Sequence, residues 1–532
     1  MTLTSFNFLL FFASLFFLYY IIPKKLQWVL LLGANILFYL SAGLKPAVFI
    51  AFTTVTIYVG ALLIANMAQK QRLLANNAGE LSSKEIRAHN AKKLEREKRL
   101  VLIAVIVLNL GILAFLKYFN FFAENVNQLF AFVGVLAKLP TFKLFLPLGI
   151  SFYTFQAVGY LIDVSREVCE PQRNFAKFAL YCSYFPSVMQ GPINRYNDLS
   201  PQLFQPHHFN YTQVTFGMQR MLWGFFKKLV IADRLALFVN QVYGNWQDYT
   251  GFQFVIAAIF FTFQLYTDFS GCMDIVIGAS QVLGIRLPEN FQTPFFSKSI
   301  SEFWRRWHIT LGAWFKDYMF YPMLKSNFFQ KMTDTNKKRF GKKLAKALTT
   351  YAGLFILWFV MGLWHGASWK FIIGTGLLHW FYVVSGEVCA PIFKKTIAFF
   401  KINTDCFSWR LFQSLRTFCL VTLGFVFFRA DGFMTALRIC KRTLLNFNPW
   451  VFFDGTLLTM GLDGKDFTVA VIALLILLVV SILQQKIHIR EKLAEQNLVF
   501  RWAILYILFF TVIIFGIYGP GYDATEFIYR QF

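Results

Sequence analysis

The chain has 532 residues, of which 57% are hydrophobic, 19% aromatic and only 15% charged, with 67 phenylalanines. Soluble domains carry about 25% charged residues and use them to cover their cores, so a water-soluble globule is excluded. The net charge of +25 would point to nucleic acid in a soluble protein. Here the cations sit in short segments between apolar runs, where the positive-inside rule places them, and nothing resembles a nucleic-acid module.

In chain order, apolar runs fall at residues 6–22, 27–40, 101–116, 352–363, 416–428, 469–483 and 503–517. A hydrocarbon core about 30 Å thick takes roughly 20 apolar residues as helix. Several runs are shorter, so tilted, broken or re-entrant helices inside a bundle are expected. Window reading gives about eleven to fourteen membrane segments in an all-α polytopic protein, read as one membrane domain over residues 1–532. The first run is followed, not preceded, by Lys24 and Lys25, so it reads as a retained helix rather than a cleaved signal.

Charge orients the segments. Lys24 and Lys25 mark a cytoplasmic turn and an external N-terminus. Residues 70–99 hold nine Lys/Arg and read as a cytoplasmic helical excursion. Basic runs at 325–346, 394–410 and 486–492 are also assigned to the cytoplasm, which places the tail 519–532 outside the cell. Residues 429–442 are basic yet external by parity. Either they form an amphipathic interfacial helix or the parity fails there. No internal repeat or pair of pseudo-symmetric halves is visible. The seven cysteines are scattered, with no metal-ligand or disulfide spacing.

Ionisable residues in apolar context are costly and informative. Tyr-Thr-Asp-Phe-Ser-Gly at 266–271, with Asp274 beyond, follows an apolar run. Asp268 and Asp274 either cap a helix N-terminus or need buried partners or a water-filled cavity. In Ser-Ile-Ser-Glu-Phe-Trp-Arg-Arg-Trp-His at 299–308, Ser299 or Ser301 with Glu302 reads as a helix start. A continuing helix would put Trp304, His308 and Leu311 on one face, with Arg305 and Arg306 directed to an interface or acidic partners. His308 taken alone is either a hydrogen-bonded structural residue or catalytic. Leu-Trp-His-Gly-Ala-Ser-Trp at 363–369 interrupts a long apolar stretch. The flanking glycines, Gly362 and Gly366, allow a helix break, which places His365 where backbone continuity fails. Desolvation beside Trp364 and Trp369 favours neutral imidazole, the form a general base needs. His379, in an ordinary apolar helix, reads as structural. There is no G-x-S-x-G, H-E-x-x-H or P-loop, so the histidines point to proton transfer at a hydroxyl.

Together, Asp-Phe-Ser-Gly at 268–271, Leu-Pro-Glu-Asn-Phe at 287–291, Phe-Trp-Arg-Arg-Trp-His-Ile at 303–309 and Leu-Trp-His-Gly at 363–366 resemble the membrane-bound O-acyltransferase (MBOAT) family. The likeness runs from about residue 146 to 429 and is nearest the bacterial branch of alginate (AlgI) and peptidoglycan (PatA) O-acetyltransferases and D-alanyl transfer proteins (DltB). The resemblance implies a ring of tilted helices around a central tunnel. His365 would be the principal catalytic histidine and His308 the second, able to orient the acyl group or polarise its carbonyl. Trp364, Trp304, Trp307, Asp268 and Asn290 would support the site.

It also implies an acetyl group passed from a cytosolic thioester, acetyl-CoA or an acyl carrier protein, with no resident cofactor or metal. The acceptor would be a cell-wall or exported polysaccharide outside a bacterial plasma membrane. An extracellular esterase-like (SGNH) protein would be the partner. The Phe-x-Tyr-x-x-Phe stretch at 527–532 resembles the terminal motif of DltX, where a tyrosine is proposed to carry the acyl group. Tyr529 is therefore either an acyl relay or part of an interfacial aromatic anchor. Rival readings are a DltB-type D-alanyl transferase and, in another class, a transporter or scaffold for lipid-linked glycan.

Overall fold

The computed structural model describes residues 1–76, 84–147, 149–188 and 190–519; Tyr529 lies outside them. Among the described residues the protein is helical throughout, and the single extended pairing is an isolated antiparallel bridge between Phe291 and Trp307. Among the described residues eight helices are long and apolar enough to cross a membrane: Leu44–Leu74, His89–Phe132, Phe252–Val282, Asn327–His365, Lys370–Val388, Phe407–Arg429, Gly464–Gln484 and Leu498–Phe515; Phe6–Ile21 is a shorter apolar helix. This is an all-α polytopic membrane protein. The eight are helices of full spanning length; other apolar sequence folds as shorter helices. Ile150–Ser165, for example, buries Tyr153, Tyr160 and most of its other residues.

The chain forms two compact units among the described residues. One comprises Met1–Met218 with Val276–Pro288, the other Gln219–Ile275 with residues 289–519. In the first, the basic segment 70–99 is helical at both described ends, as extensions of helices Leu44–Asn76 and Lys84–Phe132. Buried amides supply what apolar packing cannot. The Gln27 amide nitrogen donates to the carbonyls of Tyr19 and His207, each at 2.9 Å, and its oxygen accepts from the His207 N–H at 2.8 Å. All of these polar groups are thereby satisfied.

In the second unit, helix Phe252–Val282 supplies much of the core, including Phe254, Phe261 and Leu265. Arg234, 5% exposed, ties three segments together. Its guanidinium meets Asp466 at 3.2 Å and donates to the Phe515 carbonyl at 2.6 Å. The Ile517 N–H then donates to the Leu229 carbonyl at 3.0 Å, anchoring the end of the last span. Helices Gly464–Gln484 and Leu498–Phe515 leave large apolar side chains such as Leu475, Phe510 and Ile514 exposed, as a lipid-facing surface requires. The basic stretch 429–442 falls largely in helix Phe433–Leu445, which buries Ala436 and Ile439 while exposing Arg438 and Lys441. It is an amphipathic helix.

Candidate functional site

The expected helix break is present. Helix Asn327–His365 ends on His365, Gly366 is extended (φ 178°, ψ 154°), and the chain turns through the Ser368 N–H to Gly366 carbonyl bond at 2.9 Å into a π-helical segment, Lys370–Leu377. Such π segments recur at functional sites. Glycine is required here for close approach. A Cβ at Gly362 would lie 2.7 Å from the Phe371 carbonyl oxygen and 3.1 Å from the Gly376 Cα, and one at Gly366 would overlap the Phe371 ring. The two segments thus touch backbone to backbone at Gly362, just before His365, and the Phe371 ring covers Gly366 just after it.

His308 is placed differently from the sequence expectation. Helix Ile300–Arg306 starts as read, with the Ser299 hydroxyl accepting from the Glu302 N–H at 3.2 Å. Glu302 in turn pairs with Arg306 at 2.6 Å, the acidic partner anticipated for the arginines. The helix then stops. Trp307 is extended, His308 is left-handed (φ 47°, ψ 51°), and a new helix runs Ile309–Phe315. Trp304, His308 and Leu311 therefore do not share a face. The cause is a non-local pairing with residues 290–292. The Gln292 N–H donates to the Arg306 carbonyl at 3.0 Å, and the Ile309 N–H to the Asn290 carbonyl at 3.1 Å. These bonds replace helical ones and turn His308 out of the helix register.

Asn290 is fully buried under this turn. Its side-chain oxygen accepts from the Thr310 N–H at 3.1 Å and the Thr310 hydroxyl at 3.0 Å, and lies 3.3 Å from His308 Nδ1. The amide nitrogen faces Met273 Sδ at 3.4 Å. Thr310 was not singled out from sequence, because a lone threonine after Trp-His-Ile carries no pattern of its own.

The two histidines meet across Trp364. The indole lies 5.8 Å from the His308 ring and 5.0 Å from the His365 ring, centroid to centroid. Phe269 packs edge-on to His308 at 4.8 Å, and Phe428 to His365 at 5.6 Å. Both histidines are buried, at 3% and 8% exposure. His308 lies outside the eight spanning helices. Burial, with His365 nearby, pushes its pKa below the ordinary histidine value, so the ring is neutral. A neutral imidazole can accept one proton and lend one N–H, which suits acid–base work at a hydroxyl.

Of the remaining sequence candidates, Trp307 joins the wall, stacked on Phe303 at 5.4 Å and edge-on to Phe291 at 5.1 Å. Trp304 turns elsewhere. Its indole N–H donates to His379 Nδ1 at 3.3 Å, and His379 is fully buried against Gly424, a structural setting. Asp268 is in mid-helix within Phe252–Val282, not at a helix start. That overturns the capping alternative and leaves buried partners. Asp268 pairs with Lys228 at 2.6 Å, and Lys228 also pairs with Asp233 at 2.7 Å. Asp274 pairs with Lys227 at 2.6 Å and Arg220 at 2.9 Å. Buried charges of this kind persist only when paired. Among the described residues no group of three or more His, Cys, Asp or Glu is placed to hold a metal.

Comparison with known proteins gives the family. The model of the membrane-bound O-acyltransferase family matches residues 170–335, a stretch that holds Asn290 and His308 and ends before His365. A probable alginate O-acetylase, AlgI, of Pseudomonas syringae pv. tomato is 35% identical over 353 residues, 66% of this chain and 62% of that protein. Its counterpart in Azotobacter vinelandii is 31% identical over 458 residues, 85% of this chain and 80% of that protein. A peptidoglycan O-acetyltransferase of Helicobacter pylori is 32% identical over 370 residues, 65% of this chain and 64% of that protein. The chain thus spans just under two thirds of the first and third relatives and more of the second. Teichoic acid D-alanyltransferases match at lower identity. The chain belongs to the membrane-bound O-acyltransferase family, on its bacterial branch with O-acetylases of alginate and peptidoglycan.

Proposed function

We propose that this O-acyltransferase takes an acetyl group from a cytosolic thioester, acetyl-CoA or an acetylated carrier protein. It passes the group through the bacterial plasma membrane for O-acetylation of a cell-wall or exported polysaccharide. The observation that carries the reading is the pair of buried histidines held on one indole, His308 at 5.8 Å and His365 at 5.0 Å from Trp364. A thioester is already activated, so the chemistry needs mainly a base. An acceptor hydroxyl attacks the thioester carbonyl carbon, His365 takes the hydroxyl proton, the carbon–sulfur bond breaks, and the proton passes to the departing thiolate. No covalent bond to either histidine is required. A positioned base of this kind contributes about 10²- to 10⁴-fold.

The first acceptor in this proposal is Tyr529, in the Phe-x-Tyr-x-x-Phe stretch outside the described residues. A further extracellular protein with an esterase-like Ser-His-Asp site then moves the group to the glycan. The basic cytoplasmic runs would attract a phosphate-rich or acidic donor. With both ends of the chain on the outer face, Tyr529 lies on the acceptor side. Support comes from the last span, whose end is anchored in the unit that carries the histidines by the Ile517 N–H to Leu229 carbonyl bond.

Peptide mass spectrometry of the tail tests this after incubation with labelled acetyl-CoA, for wild type and His365→Ala. Label on Tyr529 in wild type alone supports donor, base and relay together. Acetylated glycan without labelled tail removes the relay. Label only when D-alanyl carrier protein is supplied would transfer the chain to the D-alanyl reading.

A further inference from the structure

The geometry around Asn290 assigns a proton. The Thr310 backbone N–H can only donate, so the Asn290 atom 3.1 Å from it is the carbonyl oxygen, Oδ1. The Thr310 hydroxyl, 3.0 Å away, donates to the same oxygen, and the opposite end of the amide faces the Met273 thioether, a weak acceptor, at 3.4 Å. The amide orientation is therefore fixed by its surroundings. The backbone beneath it is held as well, by the Ile309 N–H to Asn290 carbonyl bond at 3.1 Å and the Gln292 N–H to Arg306 carbonyl bond at 3.0 Å. His308 Nδ1 faces this oxygen at 3.3 Å. An amide oxygen has no proton to give, so the hydrogen between them belongs to Nδ1. The left-handed backbone of His308, at φ 47°, is what aims Nδ1 there.

We infer that Asn290, locked by Thr310, holds His308 as the Nδ1–H tautomer, so that Nε2 is the ring nitrogen with the lone pair. His308 then acts in the site as an acceptor. It cannot polarise the thioester carbonyl, because its one N–H is committed to Asn290. Its Nε2 instead accepts a hydrogen bond from the attacking hydroxyl and holds that oxygen in line, while His365 removes the proton. No bond is made or broken at His308. Asn290 and Thr310 are positioning residues. The catalytic meaning of the tautomer rests on the proposed acyl transfer; the tautomer itself does not. The hydrogen bond at one ring nitrogen generally decides the state of the other, and here that choice separates the work of two histidines.

Solid-state nitrogen-15 NMR of the histidine-labelled full chain in lipid tests the assignment, with the His308 signals identified by difference against His308→Gln. Wild type should show a protonated Nδ1 and a bare Nε2. Asn290→Leu should move the proton to Nε2 and lower kcat on the order of 10²-fold or more, with KM little changed, as a wrong tautomer does elsewhere. A wild-type His308 protonated at Nε2 overturns the inference, as does an Asn290→Leu protein whose His308 keeps its proton on Nδ1. The spectra need no turnover. An Nδ1–H signal in a protein that never releases thiol from acetyl-CoA would uphold the tautomer and remove the proposed donor instead.

Discussion

His308 and His365 stand on one indole, that of Trp364, although they come from chain segments that end in unrelated ways: one in a left-handed turn, the other at a helix terminus. Both rings therefore pack on one indole. Trp364→Ala removes that shared surface and opens a cavity, a change that costs about 3–5 kcal/mol in buried settings. Trp364→Phe should retain most of the melting temperature and a measurable rate, whereas Trp364→Ala should lose both. A wild-type rate in Trp364→Ala would mean that the spacing of the histidines is immaterial.

If the two histidines serve one step, their removals will not add. His365→Ala should lower the rate of thiol release by about 10²- to 10⁴-fold. His308→Gln on top of it should lower the rate little further, as residues that act as a unit do. Steady-state kinetics on the two single variants and the double variant checks this. Multiplying effects would show that the histidines act in separate steps.

Close backbone contact at Gly362 sets where His365 ends up. In Gly362→Ala the new Cβ would sit 2.7 Å from the Phe371 carbonyl oxygen, a backbone atom that cannot rotate aside. Overpacking of this kind costs about 1–3 kcal/mol. Thermal unfolding should show a lowered midpoint, and transfer should fall more than stability, because the displaced segment carries His365. Gly386→Ala, with open space around its Cβ position, is the control and should change neither.

Lys228 is 2% exposed and pairs with both Asp233 and Asp268. Lys228→Met would leave the buried Asp268 and the partly buried Asp233 without that cation, and breaking a buried pair costs about 3–5 kcal/mol. We expect poor yield of folded protein in Lys228→Met. Lys338→Met, at an exposed position, should stay within about 0.5 kcal/mol of wild type. Equal yields of the two would show that the buried ion pairs are dispensable.

Some of this was legible in the sequence and some could not be. The break at His365 was readable because Trp-His-Gly-Ala-Ser-Trp interrupts an apolar run, and glycine beside it permits both the end of a helix and close packing. The Ser299 cap was readable for the same local reason. The turn at His308 was not. Residues 300–315 have a helical pattern, and what breaks it is hydrogen bonding to residues 290–292, a tertiary choice that no local period encodes. Asp268 announced only that it needed a partner. Which partner, Lys228, depends on how two helices pack. Thr310 was invisible for a like reason, since its role exists only through Asn290. Apolar windows also do not separate full spans from shorter buried helices such as Ile150–Ser165.

Thiol release from acetyl-CoA by the purified full chain in lipid nanodiscs, compared between wild type and His365→Ala at matched melting temperature, tests the central claim most directly. The account predicts release by wild type and a loss of about 10²-fold or more in the variant. Equal release by both proteins would contradict it, and would take the acyl-transfer chemistry away from the pair of histidines on Trp364.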